Sequence, residues 1–258
     1  MVFEGVVINK VPYKERDLIV KLLLRSGFMA SFYVYGGQGG GKHHKPTLFE
    51  LGSMMKLMTK DKRIKSPDSE LMVVAEYQRT WGPQVIRHDI KAFYLSCLFF
   101  EIVQKFAVHY HSDHDETSEE HEGIFSVISN ALFYLDEAVS KKKFLPEQQL
   151  NLFMVKLLFH LGIMPDTDHC GYCGKDLLSE GGSTFLIAQG HFSCLVCVTA
   201  ENERGLLLRI KKGYQTKYQD YESLTGASFQ EADKLIQYFC HHFQLKTVDL
   251  RSYSLLFK

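Results

Sequence analysis

Cys170-Gly171-Tyr172-Cys173 and Cys194-Leu195-Val196-Cys197 are two short motifs that organise the second half of this 258-residue chain. Two residues separate the cysteines of each motif, so both thiolates can reach one ion from a tight turn. Twenty residues lie between the motifs, a spacing typical of sites in which four thiolates close a tetrahedral shell around zinc. We therefore predict one structural Zn²⁺ per chain, bound by Cys170, Cys173, Cys194 and Cys197, with no open position for catalysis.

Other uses of these four cysteines remain open at this point. They are also compatible with a redox dithiol pair, with two disulfides or with an iron ion held by four thiolates. The N-terminal stretch has no basic segment followed by an apolar one, and every apolar run is interrupted before the roughly 18 residues of a membrane span. We therefore expect a cytoplasmic protein without a membrane segment, in which metal is favoured over disulfide. Cys97 and Cys240 stand alone on apolar helical faces and are expected to be small buried side chains.

The first 80 residues have the pattern of a small β-domain. Short runs rich in β-branched and aromatic residues alternate with turn signals such as Ser26-Gly27. Such short strands avoid exposed edges best by closing into a barrel. The strands predicted are Val6–Ile8, Leu18–Leu24, Phe28–Tyr35, Leu48–Met58 and Leu71–Tyr77.

Helical periodicity begins after Gly82-Pro83. Apolar residues at three- and four-residue spacing predict helices over 85–108, 124–139 and 146–161, and the capping box at Ser228–Glu231 predicts another over 229–243. The predicted fold class is therefore α+β and multi-domain: a five-stranded N-terminal barrel, then an α-helical body with an embedded four-cysteine zinc ribbon. We expect four parts, namely the barrel at 1–80, a helical domain at 81–165, the ribbon at 166–200 and the remainder of the helical domain at 201–258.

Charge is unevenly distributed along the chain. The 30 Lys and Arg balance the 30 Asp and Glu overall, but residues 1–80 carry 13 basic against 8 acidic side chains, and residues 81–165 carry 7 against 11. A basic barrel with interleaved aromatics, here Tyr13, Phe28, Phe32, Tyr33 and Tyr35, is typical of single-strand binding, although a solvated charged face over an aromatic core fits equally well. The candidate DNA-binding residues are Lys10, Lys14, Arg16, Lys21, Arg25, Lys42, Lys45, Lys56 and Arg63.

Two further segments resemble functional motifs, a nucleotide-binding loop and a metal site, but lack the residues or the spacing that would complete them. Gly36–Lys42 matches the start of a nucleotide-binding P-loop, but His43 stands where Ser or Thr should hold magnesium, and Pro46 prevents the helix that would receive the phosphates. A basic glycine-rich loop that contacts phosphates is the favoured interpretation, with a P-loop-like NTPase as the alternative. The histidines of the acidic segment 109–122 could form a second metal site, but composition explains them as well. No catalytic motif is found, so we predict a protein that is not an enzyme.

Taken together, these residues resemble those of the RecO family of bacterial recombination mediators. The likeness lies in Tyr13, Glu15 and Asp17 after the first strand, in the aromatic helix Phe93–Glu101, and in Gly162-Ile163-Met164-Pro165 followed by the two cysteine motifs. Phe185, Gly190 and the ending that starts at Leu250-Arg251-Ser252 continue it. Two features depart from the family pattern: the stretch after Gly36 is rich in glycine rather than arginine, and Gln189-Gly190 replaces a double glycine.

The resemblance implies a specific set of properties. The barrel would be an OB-fold, and the protein would bind single- and double-stranded DNA and anneal complementary strands without catalysing a reaction. Its partners would be RecR and the acidic C-terminal tail of single-strand-binding protein (SSB), and it would help RecA to displace SSB. The resemblance also implies a monomer associated with the nucleoid. A zinc-stabilised scaffold that binds proteins but not DNA is the remaining alternative.

Overall fold

The structure, a computed structural model, describes residues 1–37, 49–65, 70–107 and 122–257. The chain divides into two compact units, Met1–Ser140 and Lys141–Lys258. The helical segment expected at 81–165 therefore contributes to both units, and the four-part division of the chain stays a prediction. Among the described residues, no helix combines the length and apolar character needed to cross a membrane.

The first unit contains a closed five-stranded barrel with the strand order β1-β2-β3-β5-β4. Its pairings are antiparallel except for the parallel contact between β3 and β5 that completes the barrel. The predicted OB-fold barrel is thus confirmed. The first and fifth strands are longer than predicted, and the fourth begins at Met54 and ends at Lys65 instead of spanning Leu48–Met58. The strands are β1 (Val2–Tyr13), β2 (Asp17–Leu24), β3 (Met29–Val34), β4 (Met54–Lys65) and β5 (Glu70–Trp81).

The barrel core explains why these residues form strands. On β2, Leu18, Val20, Leu22 and Leu24 alternate into the interior and are buried together with Phe32 of β3. All six residues of β3 are buried, so both faces of this strand are covered. The strand is therefore more enclosed than its alternating pattern suggests. Gly27 takes a φ of 84° in the turn from β2 to β3, a conformation that suits glycine.

The described residues of the first unit also include two α-helices, α1 (Ile90–Phe106) and α2 (Glu122–Ser140). The predicted start of α1 at residue 85 is wrong because Ile86–His88 forms a separate 3₁₀ turn. The Asp136 carboxylate of α2 accepts the backbone N–H groups of Gln84, Val85 and Ile86, which fixes this turn. Asp89 then caps α1 by accepting the N–H of Ala92 at 2.9 Å.

The described part of the second unit combines helices with a two-stranded hairpin and the turns that carry the two cysteine motifs. The predicted helices at 146–161 and 229–243 are confirmed, whereas the helix that begins at Arg204 was not predicted. Ser228 and Glu231 form the predicted capping box. The elements are α3 (Pro146–His160), β6 (Ser183–Leu186), β7 (His191–Cys194), α4 (Arg204–Gln215), α5 (Phe229–His242) and α6 (Tyr253–Leu256).

Candidate metal centre and nucleic-acid surface

The four cysteines of the two motifs come together in the second unit. Cys170 and Cys173 lie in a turn closed by the N–H of Gly174 donating to the Cys170 carbonyl at 2.9 Å. Cys194 ends β7, and the N–H of Cys197 donates back to its carbonyl at 3.0 Å. The β6–β7 hairpin pairs Ser183 with Cys194 and so delivers the second motif to the first.

The spacing of the sulfur atoms suits a tetrahedral ion. All four Sγ atoms lie within 4.8 Å of one another, and the Sγ atoms of Cys173 and Cys194 are 3.8 Å apart. Zn–S bonds of about 2.3 Å would place tetrahedral sulfurs about 3.8 Å from each other. A disulfide would require about 2.05 Å, and all four thiols are free. The cluster can therefore hold a metal ion, and its soft donors favour zinc or iron over hard cations.

Backbone groups prepare this cluster for a cation. Burial opposes ionisation of the Cys170 thiol, but the N–H groups of Cys173 and Cys194 outweigh it and lower the pKa to about 5. The Cys194 N–H lies 3.3 Å from the Cys170 sulfur. The pKa of Cys197 rises to about 12 because its thiol is hydrogen-bonded to the sulfur atoms of Cys173 and Cys194. A thiolate stabilised by N–H donors is the form that binds metal.

The hairpin of the ribbon is fixed to the helical body of the same unit. Phe185 of β6 stacks on Phe192 of β7 with ring centroids 4.9 Å apart, and it meets Tyr238 of α5 edge-on at 5.2 Å. The Tyr238 hydroxyl donates to the Ile163 carbonyl at 2.8 Å. These contacts tie the cysteine cluster to α5 and to the segment after α3.

At the β1–β2 hairpin, candidate DNA-binding cations lie next to exposed aromatic rings. Lys14 occupies the tight turn with a φ of 52°, and both Lys14 and Arg16 are exposed. The side chains of Tyr13 and Tyr35 are 37% and 47% exposed and pack edge-on against the buried Tyr33. The Lys14 ammonium lies 5.5 Å from the centre of the Tyr13 ring. Cations and exposed rings are therefore neighbours here.

Asp17 holds this hairpin end together. Its carboxylate accepts the Tyr33 hydroxyl and, at 2.8 Å, the N–H of Gly36. These two hydrogen bonds lower the pKa of Asp17, and the bond from Tyr33 has the larger effect. Burial of the Tyr33 side chain and its hydrogen bond to Asp17 both raise the pKa of Tyr33, to well above its usual range. Tyr33 therefore stays protonated and donates its hydrogen bond.

The other candidate cations of the barrel do not join this group. Arg25 and Lys56 both pair with Glu4, at 3.1 and 3.3 Å, and they lower the pKa of that carboxyl through hydrogen bonds, Lys56 more strongly. Glu4 precedes Tyr13 on β1 by nine residues, which corresponds to about 30 Å along a strand. Lys21 lies on β2 opposite Asn9. Lys42 and Lys45 lie outside the described residues, as do the side chain of Arg63, most of the glycine-rich loop and the histidines of 109–122.

A cavity that the sequence did not indicate lies within the first unit. Its volume is about 290 Å³, and it is lined mainly by apolar side chains, with Lys10, Glu50 and Arg87 at its polar part. Glu50 and Arg87 form an ion pair of 2.9 Å. The apolar lining comes from residues far apart in the sequence, so no local pattern could have identified it: Leu51, Pro83, Ile86, Phe93, Phe100 and Leu132.

Two similarities to known proteins connect this architecture to a family. Residues 116–246 match the family model described as "Recombination protein O C terminal". The chain is also 23% identical, over 197 residues, to the protein named "DNA repair protein RecO" from Thermodesulfovibrio yellowstonii, an alignment that covers 75% of this chain and 68% of that protein.

The matched segment bears on the identity of the whole chain. It spans slightly more than half of the 258 residues and includes all four clustered cysteines. The alignment with the relative extends over three quarters of the chain. The chain belongs to the recombination protein O (RecO) family.

Proposed function

We propose that this protein acts in DNA repair as a non-enzymatic recombination mediator. In this role it binds single- and double-stranded DNA, anneals complementary strands and, with RecR, helps to load RecA onto strands covered by SSB. Family membership and the name of its relative from Thermodesulfovibrio yellowstonii support the repair role. The finer activities follow from the family resemblance, and the barrel provides a surface on which they can take place.

The observation that carries the proposal is the grouping of Tyr13, Lys14, Arg16 and Tyr35 at one end of the barrel. Lysine and arginine contacts to phosphates bind any sequence and weaken as salt rises. Exposed aromatic rings stack on unpaired bases, which gives a preference for single strands. Annealing requires only that two strands be concentrated with their charge screened, so no catalytic group is needed.

The cysteine cluster has a structural role in this proposal. Cys170, Cys173, Cys194 and Cys197 would hold one Zn²⁺, and four thiolates leave no position at which the ion could activate water. The ion would then stabilise the ribbon and its attachment to α5. Contact between DNA and the nine candidate basic residues stays a prediction, and it is best supported for Lys14 and Arg16 of the β1–β2 hairpin. The nine residues are Lys10, Lys14, Arg16, Lys21, Arg25, Lys42, Lys45, Lys56 and Arg63.

The cavity of the first unit is the proposed binding site for the SSB tail. Its apolar lining would accept apolar side chains, while Lys10 and Arg87 would attract the acidic groups of the tail. Glu50 already partners Arg87, so the tail would compete with an existing ion pair. Substitution of Phe93 by Ala should weaken binding of a fluorescent tail peptide while leaving oligonucleotide binding intact.

A strand-annealing assay tests the main proposal. We would mix complementary oligonucleotides with the wild type, with Lys14→Gln/Arg16→Gln, and with Lys91→Gln, which removes an exposed cation from α1. The hairpin variant should bind DNA about tenfold more weakly, since each exposed charge contact contributes about 0.5–1 kcal/mol. Lys91→Gln should behave as the wild type.

Two results would contradict the proposal in different ways. If the wild type bound no oligonucleotide at low salt, the interaction-scaffold alternative would replace it. If the wild type annealed strands but the hairpin variant matched it, DNA binding would stand and its assignment to the hairpin would be wrong.

A further inference from the structure

A second aromatic and basic cluster lies in the C-terminal unit, where the last turns of α3 and α4 meet. Phe159 of α3 and Tyr214 of α4 are 42% and 47% exposed. Their ring centroids are 4.6 Å apart, and the ring planes are inclined by 54°. Large apolar side chains that are nearly half exposed and adjacent form a surface available to a ligand.

The packing of the two helices builds this pair of rings. Gly213 faces Val155 of α3 so closely that a Cβ at this position would lie 3.3 Å from a Val155 methyl carbon. Glycine therefore allows α4 to approach α3 and brings the neighbouring Tyr214 to Phe159. The Lys156 ammonium then donates to the Tyr214 carbonyl at 2.6 Å, which fixes the end of α4.

Lys156 and His160 supply the polar part of the cluster. The Lys156 ammonium lies 5.9 Å from the centre of the Tyr214 ring, and the His160 ring meets Phe159 edge-on at 5.4 Å. Within the described part of the chain, neither residue pairs with a carboxylate. By contrast, Lys211 pairs with Asp168 at 2.6 Å and Lys143 with Glu222 at 3.3 Å.

The electrostatics of this cluster favour an anionic ligand. Burial lowers the pKa of Lys156, which means that its positive charge is only partly solvated. Burial and the charge of Lys156 together lower the pKa of His160, so this ring is neutral at pH 7 and keeps one N–H donor. An approaching phosphate would compensate the charge of Lys156 and could accept from both side chains.

We propose that Lys156, Phe159, His160 and Tyr214 form a second contact for single-stranded nucleic acid, located on the C-terminal unit. Unpaired bases would stack on the two rings, and Lys156 would contact the backbone. An acidic peptide would use the cation but leave the ring faces uncovered, so stacking bases use more of the surface. This inference rests on the proposed function for the identity of the polymer, and it adds a contact that does not involve the barrel.

A distinction between single and double strands follows from this assignment. Only unpaired bases expose a face to a protein ring, whereas bases in a duplex are covered by their neighbours. Loss of the two rings should therefore weaken single-strand binding and leave duplex binding nearly unchanged. A loss of general positive charge would weaken both.

The test compares full-length variants by fluorescence anisotropy with labelled oligo-dT and with a duplex of equal length. Phe159→Leu/Tyr214→Leu removes both rings but keeps apolar bulk, and Lys156→Gln removes the positive charge but keeps a polar side chain. Leu208→Ala is the matched control, because Leu208 is 46% exposed on the same helix α4. The double variant should bind oligo-dT about 5- to 30-fold more weakly, in line with base stacking on aromatic side chains.

Photo-crosslinking of the wild type gives a second measurement that does not depend on the folding of a variant. Oligo-dT with 5-iodouracil should crosslink to peptides that contain Phe159 and Tyr214. Unchanged oligo-dT affinity of a folded double variant, with crosslinks confined to residues 1–140, would overturn the inference and leave the barrel proposal intact. Failure of the wild type to bind any oligonucleotide would overturn both. Loss of binding to a labelled oligo-glutamate peptide, with oligo-dT affinity unchanged, would identify the cluster as a protein-docking site instead.

Discussion

Asp17 shows how one side chain can position a surface without belonging to it. Its carboxylate joins the start of β2 to Tyr33 of β3 and to the backbone of Gly36. Tyr13 and Tyr35 pack against that same Tyr33. The exposed rings are therefore held in place by a carboxylate that need not touch DNA.

This arrangement predicts a pH-dependent contribution to barrel stability. Because the folded-state pKa of Asp17 lies below 3.8, the value in the unfolded chain, its contribution is present above that pH and is lost as pH falls through the folded value. Asp17→Asn should lower the free energy of unfolding at pH 7 by about 1 kcal/mol and flatten its dependence on pH below 4. The single tryptophan, Trp81, ends β5 and can report urea unfolding of the first unit by fluorescence.

The matched control for this experiment is Glu15→Gln. Glu15 is an exposed neighbour in the same hairpin. An equal flattening of the pH dependence in both variants would show that the effect comes from general charge and not from the hydrogen bonds of Asp17.

The sequence identified the aromatic residues of the barrel but not which of them are exposed. Phe28, Phe32 and Tyr33 are buried, whereas Tyr13 and Tyr35 are not. Alternation along β3 suggested one inner and one outer face, yet both faces are covered. Exposure depends on the closure of the barrel and on what packs outside it, and neither is encoded in the period of a single strand.

At the scale of elements, the ribbon was the most predictable part of the molecule. The cysteine spacing alone specified that four thiols converge, and the structure places them within 4.8 Å. Helix α4 could not be predicted in the same way. It contains Gly205 and Gly213 and has no side-chain cap, which lowers its helix propensity, although its buried residues Leu206, Leu207 and Ile210 keep helical spacing. The close contact of Gly213 with Val155 is tertiary, so glycine here serves packing at the expense of helix propensity.

Loss of one metal ligand should unfold the ribbon before the barrel. Cys194→Ser removes a buried thiolate, and zinc binding contributes about 10–16 kcal/mol to the folding of small zinc domains. We expect the zinc content to fall well below one ion per chain, and residues 168–200 to become sensitive to protease. Metal analysis by mass spectrometry, limited proteolysis and Trp81 fluorescence would measure these effects.

Cys97→Ser is the control for the metal experiment, because Cys97 lies on α1 of the first unit. It should retain the full metal content. Loss of the urea transition of the barrel in Cys194→Ser would contradict the prediction that the ribbon unfolds before the barrel.

The capping box of α5 gives a second prediction at this scale. Ser228→Ala removes the acceptor for the Glu231 N–H and should destabilise the second unit by about 1 kcal/mol. Ser223→Ala is the matched control, since Ser223 is exposed and uses its backbone carbonyl, not its hydroxyl, to bind Lys212. Equal thermal unfolding temperatures of the two variants would argue against a role for the cap.

At the scale of the whole molecule, DNA affinity should depend steeply on salt. If the hairpin and its neighbours neutralise about four phosphates, the logarithm of the binding constant should fall with the logarithm of salt concentration with a slope of about −3 for single strands. Lys14→Gln/Arg16→Gln should reduce the magnitude of the slope by about 1.4. A slope near zero for the wild type between low and physiological salt would exclude phosphate contacts as the main source of affinity.

The cysteine cluster also has a direction, because Cys170 and Cys194 are buried while Cys173 and Cys197 are exposed. A bound ion would therefore be accessible to solvent from the side of Cys173 and Cys197. If the cluster holds zinc, the rate at which the ion exchanges would depend on the outer cysteines more than on the inner ones. Small chelators and thiol reagents would then reach the ion from this side without prior unfolding of the second unit.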